Sequence, residues 1–347
     1  MKSVWLSFLI IAFLLISPAC KSMSNLSTRK PPVTVYVTNE ASGDLSVIDA
    51  ANNEVIATVP LGKRPRGIHI TPDKKNLFVA LSGSPIAGPG VDEDSLPPPD
   101  KSADGIGIVD IDRNAFLKLM PVGSDPEQFV ISDDGARLYV SNEDAGVASM
   151  VDILSGKVLK SLPVGKEPEG VGISPDGKTV YVTSENDGTV SVIDAKDFNL
   201  LGTLKVGRRP RVVAFLPDGS RGYVSTENDK KVVVIDPSKP AVLRDIEFEG
   251  GEVKPMGIAV APDGKKIYVS TGRFGKVLVV DTTTEQVVGS IDVGGRPWGI
   301  AITPDGKTLY TANGPANDVS VVDVASLKVT NKIKVGDRPW GVAILTR

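Results

Sequence analysis

The stretch that decides the fold runs Gly170-Val-Gly-Ile173, Pro175-Asp176-Gly177, Thr179-Val-Tyr-Val-Thr183, Val190-Ser-Val-Ile-Asp194, and then a last run that ends in Val206-Gly207. Short β-branched runs separated by an Asp-Gly turn, a polar loop and a second tight turn are strand and hairpin signals. Four antiparallel strands in about 42 residues make one blade of a propeller. The unit recurs along the chain. Runs ending in Asp close at Asp49, Asp110, Asp152, Asp194, Asp236, Asp281 and Asp323, at intervals of 61, 42, 42, 42, 45 and 42 residues. A Gly-x-x-Pro series, with close variants, places Pro65, Pro126, Pro168, Pro210, Pro255, Pro297 and Pro339. A third series is Tyr36, Phe78, Tyr139, Tyr181, Tyr223, Tyr268 and Tyr310. Each series counts seven, which predicts an all-β, seven-bladed β-propeller with four antiparallel strands per blade.

The phase of the repeat predicts how the ring shuts. Residues 33–62 supply the last three strands of a blade, and Trp340-Gly-Val-Ala-Ile344 supplies only a first strand. One blade therefore combines both termini, and no open edge is expected to remain. The domain layout is a leader over 1–19, a tether over 20–32 and the propeller over 33–347, with an insertion at about 82–104.

Composition narrows the chemistry. Gly (35) and Pro (26) are abundant among 347 residues, as a turn-rich globular chain requires. With 39 Lys+Arg against 42 Asp+Glu, the net charge of −3 offers no field for nucleic acid. One Cys and one His leave no disulfide and no zinc site of the usual four ligands, and any histidine-based catalysis must use His69.

The first residues, Met-Lys-Ser, an apolar run from Val4 to Ile16, then Ser17-Pro18-Ala19-Cys20, are too short for an ordinary spanning helix and fit an export signal. The segment resembles a bacterial lipoprotein signal, although Ser17 stands where Leu is preferred. That resemblance implies lipid attachment at Cys20 and anchorage of an extracytoplasmic, cell-envelope protein to a membrane; the other reading of Cys20 is a free thiol. The repeats, and in particular Ser174-Pro-Asp-Gly-Lys178 and Gly314-Pro-Ala-Asn-Asp-Val-Ser-Val-Val-Asp323, resemble the YVTN-repeat family of seven-bladed propellers. They look closest to its branch associated with quinoprotein (PQQ)-linked catabolism. The resemblance implies an exported binding or scaffold protein and assigns no activity.

Strand parity places the Gly-x-x-Pro links and the loops between second and third strands on one face, around the channel mouth. Before each Pro stand Arg64, Asp125, Glu167, Arg209, Lys254, Arg296 and Arg338. After each Pro stand Arg66, Glu127, Glu169, Arg211, Met256, Trp298 and Trp340. Arg209, Lys254, Arg296, Arg338 and Arg64 form a five-blade basic arc, and acids appear confined to two adjacent blades. Aromatic planes beside Arg suit a planar anion. The plainer reading pairs these Arg with Glu40, Glu143, Glu185 and Glu227, with the Trp covering inner strands. The insertion carries Asp92, Glu93, Asp94, Asp100 and Pro97-Pro98-Pro99 and should stand on the same face, either as a solvated loop or as an acidic lid over the arc. His69 occupies a small-residue position on a first strand, where a hydrogen-bonded structural histidine competes with a ligand-binding one.

Other motifs carry nothing. Asp110-Ile-Asp112-Arg-Asn114 lacks the glycine of a calcium loop, Gly105-Ile-Gly107 opens no helix, and the repeated Asp residues are turn formers. The sequence thus points to a monomeric, non-enzymatic propeller that binds a partner protein or small organic anion, without cofactor, metal or nucleic acid. The alternative is a lactonase-like hydrolase or an accessory of quinone-cofactor oxidation. The candidate ligand-binding residues are Arg64, Arg66, His69, Arg209, Arg211, Lys254, Arg296, Trp298, Arg338 and Trp340.

Overall fold

The computed structural model describes residues 1, 30–86 and 95–347. The leader, Cys20 and most of the proposed tether lie outside the described residues, as do Asp92, Glu93 and Asp94 of the insertion. Among the described residues no helix is long and apolar enough to cross a membrane. The unit Pro31–Arg347 is built from seven four-stranded antiparallel sheets, each a blade. Blade I combines Pro339–Thr346 with Val33–Asn39, Asp44–Asp49 and Glu54–Pro60. Blade II runs from Ile68 to Met120, III from Pro126 to Pro163, IV from Pro168 to Lys205, V from Pro210 to Glu247, VI from Ile258 to Asp292 and VII from Pro297 to Lys334. The seven-bladed fold and its composite closing blade are as the repeat predicts.

The middle strands are buried on both faces, so they read as continuous apolar runs. In blade I, Val35, Val37 and Ile48 pack against Tyr310, Val319 and Val321 of blade VII. The alternate residues Tyr36, Leu45 and Val47 pack against Ile68, Leu77 and Val79 of blade II. The core is therefore a set of inter-blade layers, in which each buried Val or Leu contributes about 1.5–3 kcal/mol. The Tyr series lies in these layers, and Tyr139 Oη, which needs an acceptor once buried, donates to the Ala195 carbonyl of the next blade at 2.7 Å.

Turn chemistry follows the sequence. Asp176 Oδ1 accepts from Ser174 Oγ (2.6 Å) and Lys178 N (3.1 Å), while Gly177 takes φ +69°. The strand-ending Asp residues do local work as read: Asp152 Oδ1 accepts from Ser155 N at 2.8 Å, and Asp281 Oδ1 from Thr284 N at 2.8 Å. One expectation needs correction. Closing the ring does not remove every edge, because each fourth strand still faces solvent. In every blade the third–fourth pairing slips at one place, between Val47 and Ile48 in blade I and between Val192 and Ile193 in blade IV. Such bulges blunt an edge against pairing with another chain. The outer strands also leave apolar pairs exposed, such as Val55 and Ile56.

Candidate functional site

Backbone geometry builds the channel mouth. In five blades the residue after the second strand donates its N–H to the carbonyl of the residue before proline: Glu40 to Arg338 (2.9 Å), Glu143 to Asp125 (3.0 Å), Glu185 to Glu167 (2.9 Å), Glu227 to Arg209 (2.9 Å) and Gly314 to Arg296 (3.2 Å). This bond sets the side chain of the second–third loop beside the pre-proline side chain. The pre-proline residues Arg64 (φ +40°), Asp125 (+50°), Glu167 (+52°), Arg209 (+57°) and Arg338 (+56°) adopt left-handed backbone. That conformation is costly for a non-glycine residue. In blade VII, Gly294 (+69°) and Gly295 (+57°) take the left-handed turn one residue earlier, and Arg296 is relieved of it.

These links surround a cavity of about 1050 Å³. Nine of the ten candidate residues line it: Arg64, Arg66, Arg209, Arg211, Lys254, Arg296, Trp298, Arg338 and Trp340. His69 does not. Among the described residues its side chain has no hydrogen-bond partner; it meets Phe129 edge-on at 5.0 Å, and burial lowers its pKa to about 4, so it stays neutral. The expected structural hydrogen bond is thus replaced by an aromatic contact.

Around one part of the mouth, charge is interlocked. Arg66 contacts Glu127 and has Nε 3.2 Å from Glu40 Oε1, and Arg64 Nε lies 3.5 Å from the same oxygen and its Nη1 3.9 Å from Asp125. Asp125, Glu127 and Glu143 bring carboxylate oxygens within 4.8 Å of one another, and Arg64 and Arg66 supply the positive charge that such a cluster needs. A second lattice centres on Arg211, which contacts Glu185, lies 3.1 Å from Glu169 and 2.8 Å from Glu227. Arg209 Nε lies 2.8 Å from Glu185 and 3.3 Å from Glu227, and Lys254 Nζ lies 3.5 Å from Glu227. The plainer sequence reading, pairing with second–third loop acids, holds for these residues. The five-blade arc is correspondingly shortened, since its two ends, Arg64 and Arg209, are neutralised. The acids are not confined to two adjacent blades either: Glu40 comes from blade I and Glu227 from blade V.

Crowding shifts the titrations. Burial pushes Glu185 up to about 8, the pull of Arg211 being partly cancelled by Glu169. Burial likewise pushes Glu143 up to about 7, with Arg66 opposing. For Glu169 burial is outweighed by Arg211, Arg66 and Arg209, and the carboxylate is held ionised. Adjacent carboxyls therefore differ in protonation near neutral pH.

Blades VI, VII and I present a different surface. Arg296 and Arg338 each lie 5.4 Å from the ring centre of Trp298, and Arg66 lies 5.6 Å from that of Trp340. Trp298 is 8% exposed, and its Nε1, like Arg296 Nε, is buried without a hydrogen-bond partner. Burial lowers the pKa of Arg296, with neighbouring Arg273, Arg211 and Arg338 adding to the effect and Glu227 opposing it. Arg273, an exposed side chain on the short helical turn Gly272–Phe274, lines the same cavity and was missed from sequence. Neither Arg273 nor Arg296 has a carboxylate partner among the described residues. The reason is a substitution at one position: Gly272 and Gly314 stand where blades I, III, IV and V carry Glu. A Cβ at Gly314 would lie 3.1 Å from the Trp298 ring, so the glycine also seats the indole.

The described parts of the insertion, residues 82–86 and 95–104, stand on this face, as parity predicts. Ser84, Pro85, Ile86, Leu96 and Pro97–Pro99 line the cavity, and Arg64 Nη1 donates to the Ser84 carbonyl at 3.1 Å. Asp100 pairs with Lys63 at 2.8 Å, outside the basic arc, and Asp104 accepts from the backbone of Gly83 (2.7 Å) and Asp125 (3.0 Å).

The sequence profile of a family described as YNCE-like beta-propeller matches residues 101–221 and 260–347. No curated protein matches the chain. Among solved structures, hydrazine synthase of Kuenenia stuttgartiensis is 22% identical with a TM-score of 0.72, over 84% of this chain and 92% of that one. A functionally unknown protein of Desulfotomaculum acetoxidans is 17% identical (TM-score 0.74; 90% and 98% covered). A Bacteroides uniformis protein, itself a candidate 6-phosphogluconolactonase, is 18% identical (TM-score 0.73; 90% and 99% covered). At these identities the likeness is one of fold.

Proposed function

The chain belongs to the YNCE-like β-propeller family, and we propose that this member is an exported binding protein that holds a small organic anion at the basic side of its channel mouth. The observation that carries the reading is Arg296. Its guanidinium stacks on Trp298, has no counter-ion among the described residues and is half-buried. A cation withdrawn from water without a partner is costly, and an incoming carboxylate or phosphate relieves that cost. Trp298 Nε1 adds a buried donor with no acceptor. Anchorage through Cys20 belongs to the same proposal and would hold the propeller at a membrane while the mouth samples the surrounding solution.

The reading is checked by calorimetric titration with small carboxylates and phosphates, following the fluorescence of Trp298 and Trp340. Binding that weakens at least tenfold in Arg296→Ala supports it; absence of heat with every anion up to about 10 mM, where binding free energies fall below roughly 3 kcal/mol, overturns it. A hydrolytic reading is favoured by one observation, the proton-holding carboxyls Glu143 and Glu185 in the same cavity. Such groups suit general acid catalysis, as in a lactonase-like hydrolase. Its test is turnover of an anionic sugar lactone that disappears in Glu185→Gln.

A further inference from the structure

We propose that the ligand of this mouth is a flat dianion, with acidic groups received by Arg296 and Arg273 and a conjugated body stacked on Trp340. The proposal rests on the anion reading above and specifies its chemistry. Charge gives the first constraint. Lys254 shares Glu227 at 3.5 Å and Arg338 shares Glu40 at 3.4 Å, whereas Arg273 and Arg296 have no carboxylate partner among the described residues. A monoanion pairs with only one of the two guanidiniums; a dianion can form forked hydrogen bonds with both.

Geometry gives the second constraint. A guanidinium stacked on an indole presents its N–H edge, and an edge accepts a carboxylate or phosphate through two parallel bonds. Among the described residues, Trp298 is met by two guanidiniums and Trp340 by that of Arg66 alone. A planar ligand body on Trp340 takes the place that Arg338 takes on Trp298. The cavity of about 1050 Å³ has room for a ring bearing two acidic groups. The blades themselves are specialised for it: Gly272 and Gly314 delete the acids that would neutralise the two Arg, and Gly314 alone admits the Trp298 ring.

Titration of the full chain with benzoate, benzene-1,3-dicarboxylate, succinate and phenyl phosphate separates the parts of the proposal. The aromatic dicarboxylate is expected to bind at least about 30-fold more tightly than benzoate, the effect of one further charged hydrogen-bonded pair. It should also exceed succinate by about fivefold, the gain from a stacked ring. In Arg273→Gln the preference for dicarboxylate over benzoate should fall to within about threefold, with unchanged melting temperature because Arg273 is exposed. Phenyl phosphate matching or exceeding the dicarboxylate supports the dianion and identifies phosphate as its source. Equal binding of benzoate and dicarboxylate overturns the dianion while leaving the anion reading standing, and equal binding of succinate overturns the flat body. Failure of every ligand removes the anion reading itself.

Discussion

Arg209 and Arg296 hold the same place in blades V and VII, immediately before proline, yet their surroundings are opposite. Arg209 sits between Glu185 at 2.8 Å and Glu227 at 3.3 Å; Arg296 lies over the ring of Trp298 with no carboxylate at ion-pair distance among the described residues. The arginine does not set the difference. The residue after the second strand does: Glu in the interlocked blades, Gly in blades VI and VII. One backbone frame, repeated seven times, thus carries a part of the rim whose charges hold the structure together and a part whose charges await something else.

The sharpest way to break that contrast is to delete arginine on each side. Arg211→Ala strands Glu169 in a buried site and takes one cationic partner from Glu185 and Glu227, and chemical denaturation should show a loss of about 3–5 kcal/mol. Arg296→Ala removes a cation with no partner, so stability should stay within about 1 kcal/mol, while anion affinity falls about 10- to 100-fold by calorimetry. If the two variants lose equal stability, the division of the rim is wrong. Next in size is Gly314→Ala, whose methyl meets the Trp298 ring: overpacking of about 1–3 kcal/mol and altered tryptophan emission are expected. The same substitution at exposed Gly251, where a methyl meets no neighbour, gives the reference without overpacking.

The smallest effect is a pH slope. Glu185 and Glu143 have folded pKa values near 8 and 7, above the ordinary 4.5. The folded protein therefore holds more protons than the unfolded chain in this interval, and stability from these groups, complete below pH 4.5, is lost as pH rises towards 8. Glu169 and Glu227 shift downward, so their contribution is present above pH 4.5 and is lost only on acidification. Denaturation midpoints measured from pH 5 to 8 should decline in the parent and flatten in Glu185→Gln. An unchanged slope in that variant would place the titration elsewhere.

Legibility in the sequence follows the same divide. The fold could be read because its determinants are local and repeated: an Asp that turns the chain, a Pro that opens a first strand, a Tyr between blades. The Arg and Trp of the mouth could also be placed, since parity alone puts them on one face. Their partners could not be assigned. Whether Arg66 or Arg338 is neutralised depends on how far Glu40 reaches across blades, and the carboxylate approaches both, at 3.2 and 3.4 Å. Arg273 lies outside the Gly-x-x-Pro links, and its signal is a basic residue in register with Asp144, Asn186 and Asn228. His69 looked available from its strand position, but three-dimensional packing turned it against Phe129.

The composite blade has a consequence in time. Val33–Asn39 is synthesised about 300 residues before its partner Pro339–Thr346. Until that final strand arrives, six blades can pair internally while blade I exposes a bare inner edge to any extended peptide nearby. A chain cut just before Pro339 therefore keeps nearly all its core and has no means of locking it, a species prone to join another copy of itself.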